Sequence, residues 1–525
     1  MSERHAGLLL PLFAFPSSAS WGVGELPDVV PLAAWMADAG LDRLLVLPIG
    51  TMPDGEASPY SAESSMAIDP LYVAVTDLED FHYAGGLAAL APDRRRDLEA
   101  AVRAPRVRHA AVRRAKTAAL DLAFSHFEQQ DWAARSDRAA ELETYVAREA
   151  WWLADYALFR AISSEAPHLS WRNWPEPIRD RHPAALAEAR RVLDRRIRRE
   201  QYEQWAAETQ WQASRRAAAA RGVTIVGDLP FVAARDSADV WARAGEYLLD
   251  VSVGTPPDAF SETGQDWQLP GYHWDAVVAA GDELMRRRAR RMAALFDSIR
   301  IDHLVGLYRT YCRPPGGAPF FVPGDERAQL AQGERVLGVF RDGGAELLAE
   351  DLGTVPDFVR ASMARLGVPG TRVLRWERRW EQPGRPFIDP ASFPTASIAM
   401  TGTHDTETLA GWWDHADEAE RAGVLQLPAM RTAGVGPREP WSDRLRDALL
   451  EMAWRSGSRE LFVPAQDLFG WRDRINTPGT ITGANWTWKL PMPVDELTRD
   501  PVTVARAVVL RKLSRSTTRA ARVSS

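Results

Sequence analysis

Ala294-Leu295-Phe296-Asp297-Ser298-Ile299-Arg300-Ile301-Asp302-His303 is the stretch on which the reading of this chain turns. The tail of a helix runs into a short apolar segment that stops abruptly on Arg, Asp and His. Buried strands normally close on turn residues, so a carboxylate flanked by two cationic groups is a different signal. Opposite charge nearby lowers a carboxyl pKa, and Arg300 and His303 are therefore expected to hold Asp302 ionised. An ionised carboxylate at the rim of a barrel can act as a nucleophile. Asp302 is expected to be the chemical centre of the chain.

Other short apolar runs repeat this pattern on both sides. They are Leu8 to Phe15, Leu44 to Ile49, Val223 to Asp228, Ile299 to Asp302, Leu347 to Asp351, Val373 to Glu377, Ser397 to Asp405 and Glu460 to Asp467. Between the first two, Val29, Leu32, Ala33 and Met36 fall at helical spacing, and Gly40 stands where a C-cap belongs. Strand, helix, strand in that order predicts a parallel sheet. Eight such alternations predict an α/β fold, a (β/α)8 TIM barrel. Residues 51 to about 70 look like a loop, and 84–220 are rich in Ala, Arg, Glu, Leu and Trp. The expected organisation is a single catalytic barrel over 1–525, with 51–220 as a loop and mainly helical insertion after strand 2. The chain stops soon after the eighth unit, which leaves no room for a C-terminal β-sandwich.

Composition narrows the function classes. The 525 residues are 46% hydrophobic and 26% charged, as in a soluble protein with a large core. A formal net charge of −7 argues against an extended nucleic-acid surface. The basic runs Arg190–Arg199 and Arg286–Arg291 alternate with Ala, Leu or Ile and are expected to be solvated helix faces. One cysteine, Cys312, rules out an intrachain disulfide. Nothing approaches ~18 consecutive apolar residues, so no membrane span is expected. The opening apolar stretch resembles a short signal peptide, but a proline interrupts it and basic residues are few, which favours a first buried strand. A cytoplasmic monomer or homodimer is the simplest expectation. The 21 tryptophans exceed what a core needs. Trp21, Trp267, Trp274, Trp486 and Trp488 stand beside polar or glycine residues, where flat aromatic faces suit stacking on sugar rings.

At least five of the eight runs end on a carboxylate, among them Asp228, Asp302, Glu350 or Asp351, Asp405 and Asp467. In a (β/α)8 barrel the C-terminal strand ends share one face, where the active site sits. Convergent acids fit either retaining glycosyl transfer or metal-assisted chemistry. Arg300 and His303 beside Asp302, and His404 beside Asp405, compete with a metal, and no His-x-His or His-Glu-x-x-His run occurs. The balance leans to glycosyl transfer, with no metal or cofactor.

The residues also carry a resemblance. Ser58-Pro59-Tyr60, Gly227-Asp228-Leu229-Pro230, Pro256-Pro257-Asp258-Ala259-Phe260-Ser261, Thr263-Gly264-Gln265-Asp266-Trp267 and Arg300-Ile301-Asp302-His303 appear in order. They are followed by Ala349-Glu350-Asp351-Leu352-Gly353, Thr401-Gly402-Thr403-His404-Asp405-Thr406, Asn476-Thr477-Pro478-Gly479 and Asn485-Trp486. From residue 7 to about 490 the chain resembles the 4-alpha-glucanotransferases of the amylomaltase (disproportionating enzyme) family, glycoside hydrolase family 77. The resemblance implies Asp302 as nucleophile, Glu350 as acid/base and Asp405, helped by His404, as stabiliser of an oxocarbenium-like state. It further implies that Arg300 holds Asp302 ionised, that Tyr60 stacks under the reacting ring and that Asp228 supports them. Trp267, Gln265 and Asn485 are implied in substrate binding, with the loop 254–270 beside the acceptor path. Asp351 fits a structural role. The implied partners are an alpha-1,4-glucan donor and a sugar acceptor, with no nucleic acid or membrane.

The chain departs from the family in places. The usual run after the nucleophile's His is Phe-Arg-Gly-Phe; here it is Leu304-Val305-Gly306-Leu307-Tyr308-Arg309. The segment 311–343 also diverges, Thr406-Glu407-Thr408 replaces Asn-Asp-Thr, and Gln268 replaces a Gly after Trp267. An alpha-1,4-glucan hydrolase and a non-catalytic glucan-binding barrel are the alternatives. A double-displacement mechanism requires the carboxylates of Asp302 and Glu350 to stand about 5–5.5 Å apart.

Overall fold

The computed structural model describes residues 3–257, 263–431, 433–480 and 482–519. In chain order its strands are β1 (Gly7–Leu9), β2 (Arg43–Val46), β3 (Thr224–Leu229), β4 (Tyr247–Thr255), β5 (Gln265–Tyr272) and β6 (Ser298–Ile301). There follow β7 (Thr310–Arg313), β8 (Phe320–Val322), β9 (Glu346–Ala349), β10 (Gly370–Val373), β11 (Ser397–Met400) and β12 (Glu460–Pro464). Eight of them close into a parallel barrel in the order β1-β12-β11-β10-β9-β6-β3-β2. This is the (β/α)8 barrel expected from the alternation of apolar runs. Among the described residues no strand follows β12.

The barrel strands correspond to the eight apolar runs, with two shifts. The first run is strand only over Gly7–Leu9, because Pro11 opens a 3-10 turn at Leu12–Ala14. The sixth strand lies at Gly370–Val373, before most of the apolar run at Val373–Glu377. Its Gly370-Thr371 start reads as a loop, yet it is bound to a buried carboxylate: the Thr371 N–H donates to Asp351 at 2.7 Å. A Cβ on Gly370 would meet the Asp351 carboxylate at 2.6 Å, so only glycine allows that approach. The N-terminal mouth of the barrel is closed by polar side chains. Arg43 donates to Thr224 at 3.0 Å and faces Glu346 and Glu460 at 3.4 and 3.7 Å.

Between β2 and β3 the chain forms the long helices Pro92–Arg103, His109–Phe127, Asp137–Ser163 and Asp194–Ala219, with shorter turns. The last of these packs on the barrel wall, where the Trp211 indole donates to the Leu295 carbonyl at 2.8 Å. A buried ion pair ties the helical layer to the loop after β1. Lys116, on His109–Phe127, meets Glu25 at 2.7 Å and donates to the Val73 carbonyl at 2.7 Å. Burial pushes the Glu25 carboxyl up to about 7 even with Lys116 opposing the rise.

Two expectations are corrected. Arg286–Arg291 is not a wholly solvated face: Arg288 and Arg291 are buried on helix Glu283–Leu295. Arg288 donates to the Phe231 carbonyl at 2.8 Å; Arg291 donates to the Met66 carbonyl at 2.6 Å and pairs with Glu208 at 2.7 Å. Within 254–270, expected as a loop, residues 254–255 and 265–270 are strand. Strands β4, β5, β7 and β8 form a separate antiparallel sheet in the order β5-β4-β7-β8. Part of the quoted motif there, Asp258-Ala259-Phe260-Ser261, lies outside the described residues.

Removing one partner of the Lys116–Glu25 pair leaves a charge buried alone. Lys116→Met is expected to cost about 3 kcal/mol in urea unfolding, and the double variant with Glu25→Gln should recover most of that loss. A single variant as stable as the parent would show the pair to be dispensable.

Candidate active site

The site grows out of strand register. Asp228 on β3 pairs with Arg300 on β6, and Ile301 pairs with Ala349 on β9. Asp302 and Glu350 are therefore the next residues on two neighbouring strand ends, about 4.8 Å apart across a parallel ladder. Backbone bonds fix them there: the Glu350 N–H donates to the Ile301 carbonyl at 3.0 Å, and the Asp302 N–H to the Leu229 carbonyl at 3.1 Å. Both side chains line a cavity of about 650 Å³, together with Arg300, His404, Asp405 and Asn476.

Arg300 is buried beneath that cavity. Its Nη1 donates to both oxygens of Asp228 at 2.6 Å and to Asp302 at 3.2 Å. The Tyr60 hydroxyl donates to Asp228 at 2.7 Å. Burial, with the Asp228 and Asp302 charges, keeps the Tyr60 phenol well above its ordinary pKa, so it stays a donor. Burial also pushes Asp302 up to about 7 against the pull of Arg300, and Asp228 and Glu350 add to the rise. Glu350 is likewise raised by burial, against Arg300 and two backbone donors, the N–H groups of Leu352 at 2.9 Å and His303 at 2.7 Å. Two raised carboxyls side by side titrate as a pair.

His303 departs from its expected role. Burial lowers its imidazole to about 4, so the ring is neutral at ordinary pH and is no cation for Asp302. The residue adopts a left-handed backbone, φ 46°, and contributes through its N–H to Glu350. Arg300 is left as the guanidinium facing Asp302, and Asp228 takes its shorter contacts. Burial therefore prevails, and the Asp302 carboxyl is raised, not lowered as its sequence neighbours suggested.

Opposite this pair, His404 and Asp405 follow β11. His404 Nε2 lies 3.3 Å from Asp405, and Asn476 donates to Asp405 at 2.6 Å. Burial works to raise Asp405, but His404, Asn476 and Arg300 outweigh it and hold the carboxyl down at about 2. For His404 burial works to lower the pKa, and Asp405 more than reverses this. Tyr60 stacks on His404 with centroids 5.2 Å apart and planes at 23°, and Trp486 closes the cluster 5.8 Å from Tyr60.

The antiparallel sheet supplies another wall. Trp267 and Gln265 on β5 line the cavity, and the Trp267 indole donates to Gln265 at 3.0 Å. Trp267 also meets the His303 ring edge-on at 4.8 Å.

Of the residues expected from sequence, Tyr60, Gln265, Trp267, Arg300, Asp302, Glu350, His404 and Asp405 line one cavity, and Asp228 anchors them from below. Asn485 does not join them. Its carbonyl oxygen accepts from the Thr477 N–H at 3.2 Å and its amide donates to the Thr480 carbonyl at 2.9 Å, which braces the loop instead. Asn476, nine residues earlier, is the asparagine that reaches the site, and its place in the quoted Asn-Thr-Pro-Gly run was the available signal. Asp351 is structural, bound to Thr371, Arg372 and Arg360. Asp467 also points away from the cavity, accepting from Thr401 at 2.6 Å and the Leu409 N–H at 2.7 Å. Trp21, Trp274 and Trp488 are buried in the core, whereas Trp376 joins Trp267 and Trp486 at the cavity.

A family model described as 4-alpha-glucanotransferase matches residues 10–495. The 4-alpha-glucanotransferase of Thermus thermophilus is 34% identical over 504 residues, covering 93% of this chain and 95% of its own. The chloroplastic/amyloplastic 4-alpha-glucanotransferase of Solanum tuberosum is 30% identical over 508 residues, covering 93% and 82%. In fold, the chain superposes on the amylomaltase from Streptococcus agalactiae in complex with acarbose with a TM-score of 0.82 at 23% identity, covering 99% and 100% of the two chains.

Tyr60→Phe removes one charge-assisted hydrogen bond to Asp228 and keeps the ring on His404. Its kcat/KM on maltotriose is expected to fall about ten-fold, the lower end of such a bond's worth, and Tyr60→Ala should fall further. Equal rates for Tyr60→Phe and the parent would remove the hydroxyl from the mechanism.

Proposed function

The chain belongs to the 4-alpha-glucanotransferase family, and we propose that it transfers alpha-1,4-glucan segments by double displacement at Asp302 and Glu350. The observation that carries the mechanism is the placing of these two acids on neighbouring strand ends, facing one cavity. Neighbouring strand ends let a nucleophile and an acid/base flank the anomeric carbon from opposite sides, as the two successive inversions of a retaining mechanism require.

In the first step an Asp302 oxygen attacks the anomeric carbon while Glu350 gives its proton to the departing glycosidic oxygen. The products are a glucosyl ester and a shortened glucan. In the second step Glu350 takes the proton of an acceptor hydroxyl, whose oxygen displaces Asp302 and regenerates the carboxylate. The pair needs one proton: the reactive form carries it on Glu350, the arrangement that the Arg300 contact with Asp302 favours. Asp405, ionised far below neutrality, supplies fixed negative charge for the positive character that develops on the sugar ring. Tyr60 and Trp486 offer aromatic faces to the same ring.

Hydrolysis shares the first step and differs only in the second nucleophile. Water stands at ~55 M, so transfer prevails when a bound hydroxyl is held at an effective molarity on the order of 10⁵ M or more. The wall formed by Trp267 and its sheet is where such binding is supplied. We also read the protein as a cytoplasmic monomer or homodimer whose partners are the glucan donor and the sugar acceptor. Its net negative charge supports the lack of a nucleic-acid partner. Among the described residues no helix is long and apolar enough to cross a membrane.

Maltotriose alone should yield glucose and a ladder of longer oligomers, whereas maltose and glucose without a ladder would indicate hydrolysis. The pH profile tests the acid pair. Burial raises both carboxyls, so both limbs should lie above the ordinary carboxylate range: kcat/KM falls on the alkaline side as the pair loses its last proton and on the acid side as it gains a second. Glu350→Gln should lose the alkaline limb when glucosyl fluoride, which needs no acid, is the donor. Retention of that limb would exclude Glu350 as the proton donor.

A further inference from the structure

After β6 the chain makes one helical turn, Val305–Tyr308, so residues 305 and 309 lie a turn apart on the same side. Both line the catalytic cavity. The family's usual run has an arginine where this chain has Val305. That part of the wall is thus apolar here, and a guanidinium enters the cavity four residues later. Arg309 is half-buried, with its Cζ 4.3 Å from the centroid of the Phe321 ring. Phe321 pairs with Tyr311 across β7 and β8, and the two rings stand 5.1 Å apart. Tyr311 and Phe321 line the cavity as well.

The other cations nearby are committed. Arg300 is held by Asp228 and Asp302, and Arg313 donates to the Thr263 carbonyl at 3.2 Å. Among the described residues no carboxylate lies within ion-pair distance of Arg309, and no acceptor takes a hydrogen bond from its side chain. A guanidinium laid on an aromatic face keeps its edge N–H groups directed outward. Here that edge borders a cavity built for a polyhydroxyl substrate. Arg309 belongs to the antiparallel-sheet side, with Trp267, whose ring packs on His303, the residue that holds Glu350 by its N–H. That is the side of the departing and entering oxygen.

We propose that Arg309, laid on Phe321, is a specificity-determining residue that binds vicinal hydroxyls of the acceptor glucose. The proposal rests on the transferase reading above and deepens it. Two adjacent hydroxyls match the paired donors of the guanidinium, and lysine offers charge without that fork.

The test follows incorporation of labelled glucose into oligosaccharides at a fixed maltodextrin concentration, varying glucose and donor separately. Arg309→Ala is expected to raise the KM for glucose about ten-fold, the loss of one charge-assisted contact, while the rate at saturating glucose and the donor KM change little. Arg309→Lys should fall between the two proteins. A glucose KM unchanged in Arg309→Ala, or a rise confined to the donor KM, overturns the proposal. A parent enzyme that incorporates no glucose overturns the transferase reading itself, and the assignment of Arg309 with it.

Discussion

The contact on which the site depends is that of Arg300 with Asp228 beneath and Asp302 above. A guanidinium buried without partners would be untenable, and so would the fully buried Asp228 carboxylate. The register of β3 against β6 brings them together, and Tyr60 satisfies the same carboxylate from the loop after β2. A strand pair of the barrel, a loop of the insertion and Asp302 are thereby fixed to one another. Asp302 then receives the weaker share of the cation, at 3.2 Å, and burial can lift its pKa to about 7. A carboxylate gripped more tightly would be a poorer nucleophile, and one with no cation would stay protonated.

The barrel could be read from the chain because each strand buries a short apolar run and several stop on an acid at the rim. Asp302, Glu350 and Asp405 were legible for the same reason. The antiparallel sheet was not. Strands β4 and β5 carry Asp250, Ser252, Gln265, Asp266 and Gln268, and their pairing is broken by register shifts, so no clean alternation marks them. The burial of Arg288 and Arg291 was hidden too. Their partners are backbone carbonyls at Phe231 and Met66 and a carboxylate at Glu208, remote in sequence and visible only once the chain is folded. Neutral His303 is a third case: adjacency to Asp302 suggested a cation, but burial sets the charge state. Asn476 and Asn485 share one short segment, and only the path of the loop decides which reaches Asp405.

The two walls of the cavity divide the chemistry. Tyr60, His404, Trp486 and Asp405 form a rigid stack of rings and a strongly ionised acid, suited to the sugar that becomes positively charged. Across from it, Trp267, Tyr311 and Phe321 come from the smaller sheet, outside the barrel ladder, and Arg309 immediately precedes its strand β7. In the proposed mechanism the reacting ring meets the first wall and the neighbouring sugar the second, part of which, Tyr311 and Phe321, lies in the segment that departs from the family pattern. Such a division lets acceptor preference change while the acid pair stays fixed, as expected when function is grafted onto a scaffold.

The double-displacement account is tested most directly by trapping the ester. A 5-fluoro glucosyl fluoride donor forms the glucosyl-enzyme and slows its breakdown, and digestion with mass spectrometry locates the adduct. A mass increase of one fluoroglucosyl unit on the peptide carrying Asp302, absent from Asp302→Asn, is the predicted result. An adduct on another residue, or inverted products with no adduct, would contradict the account.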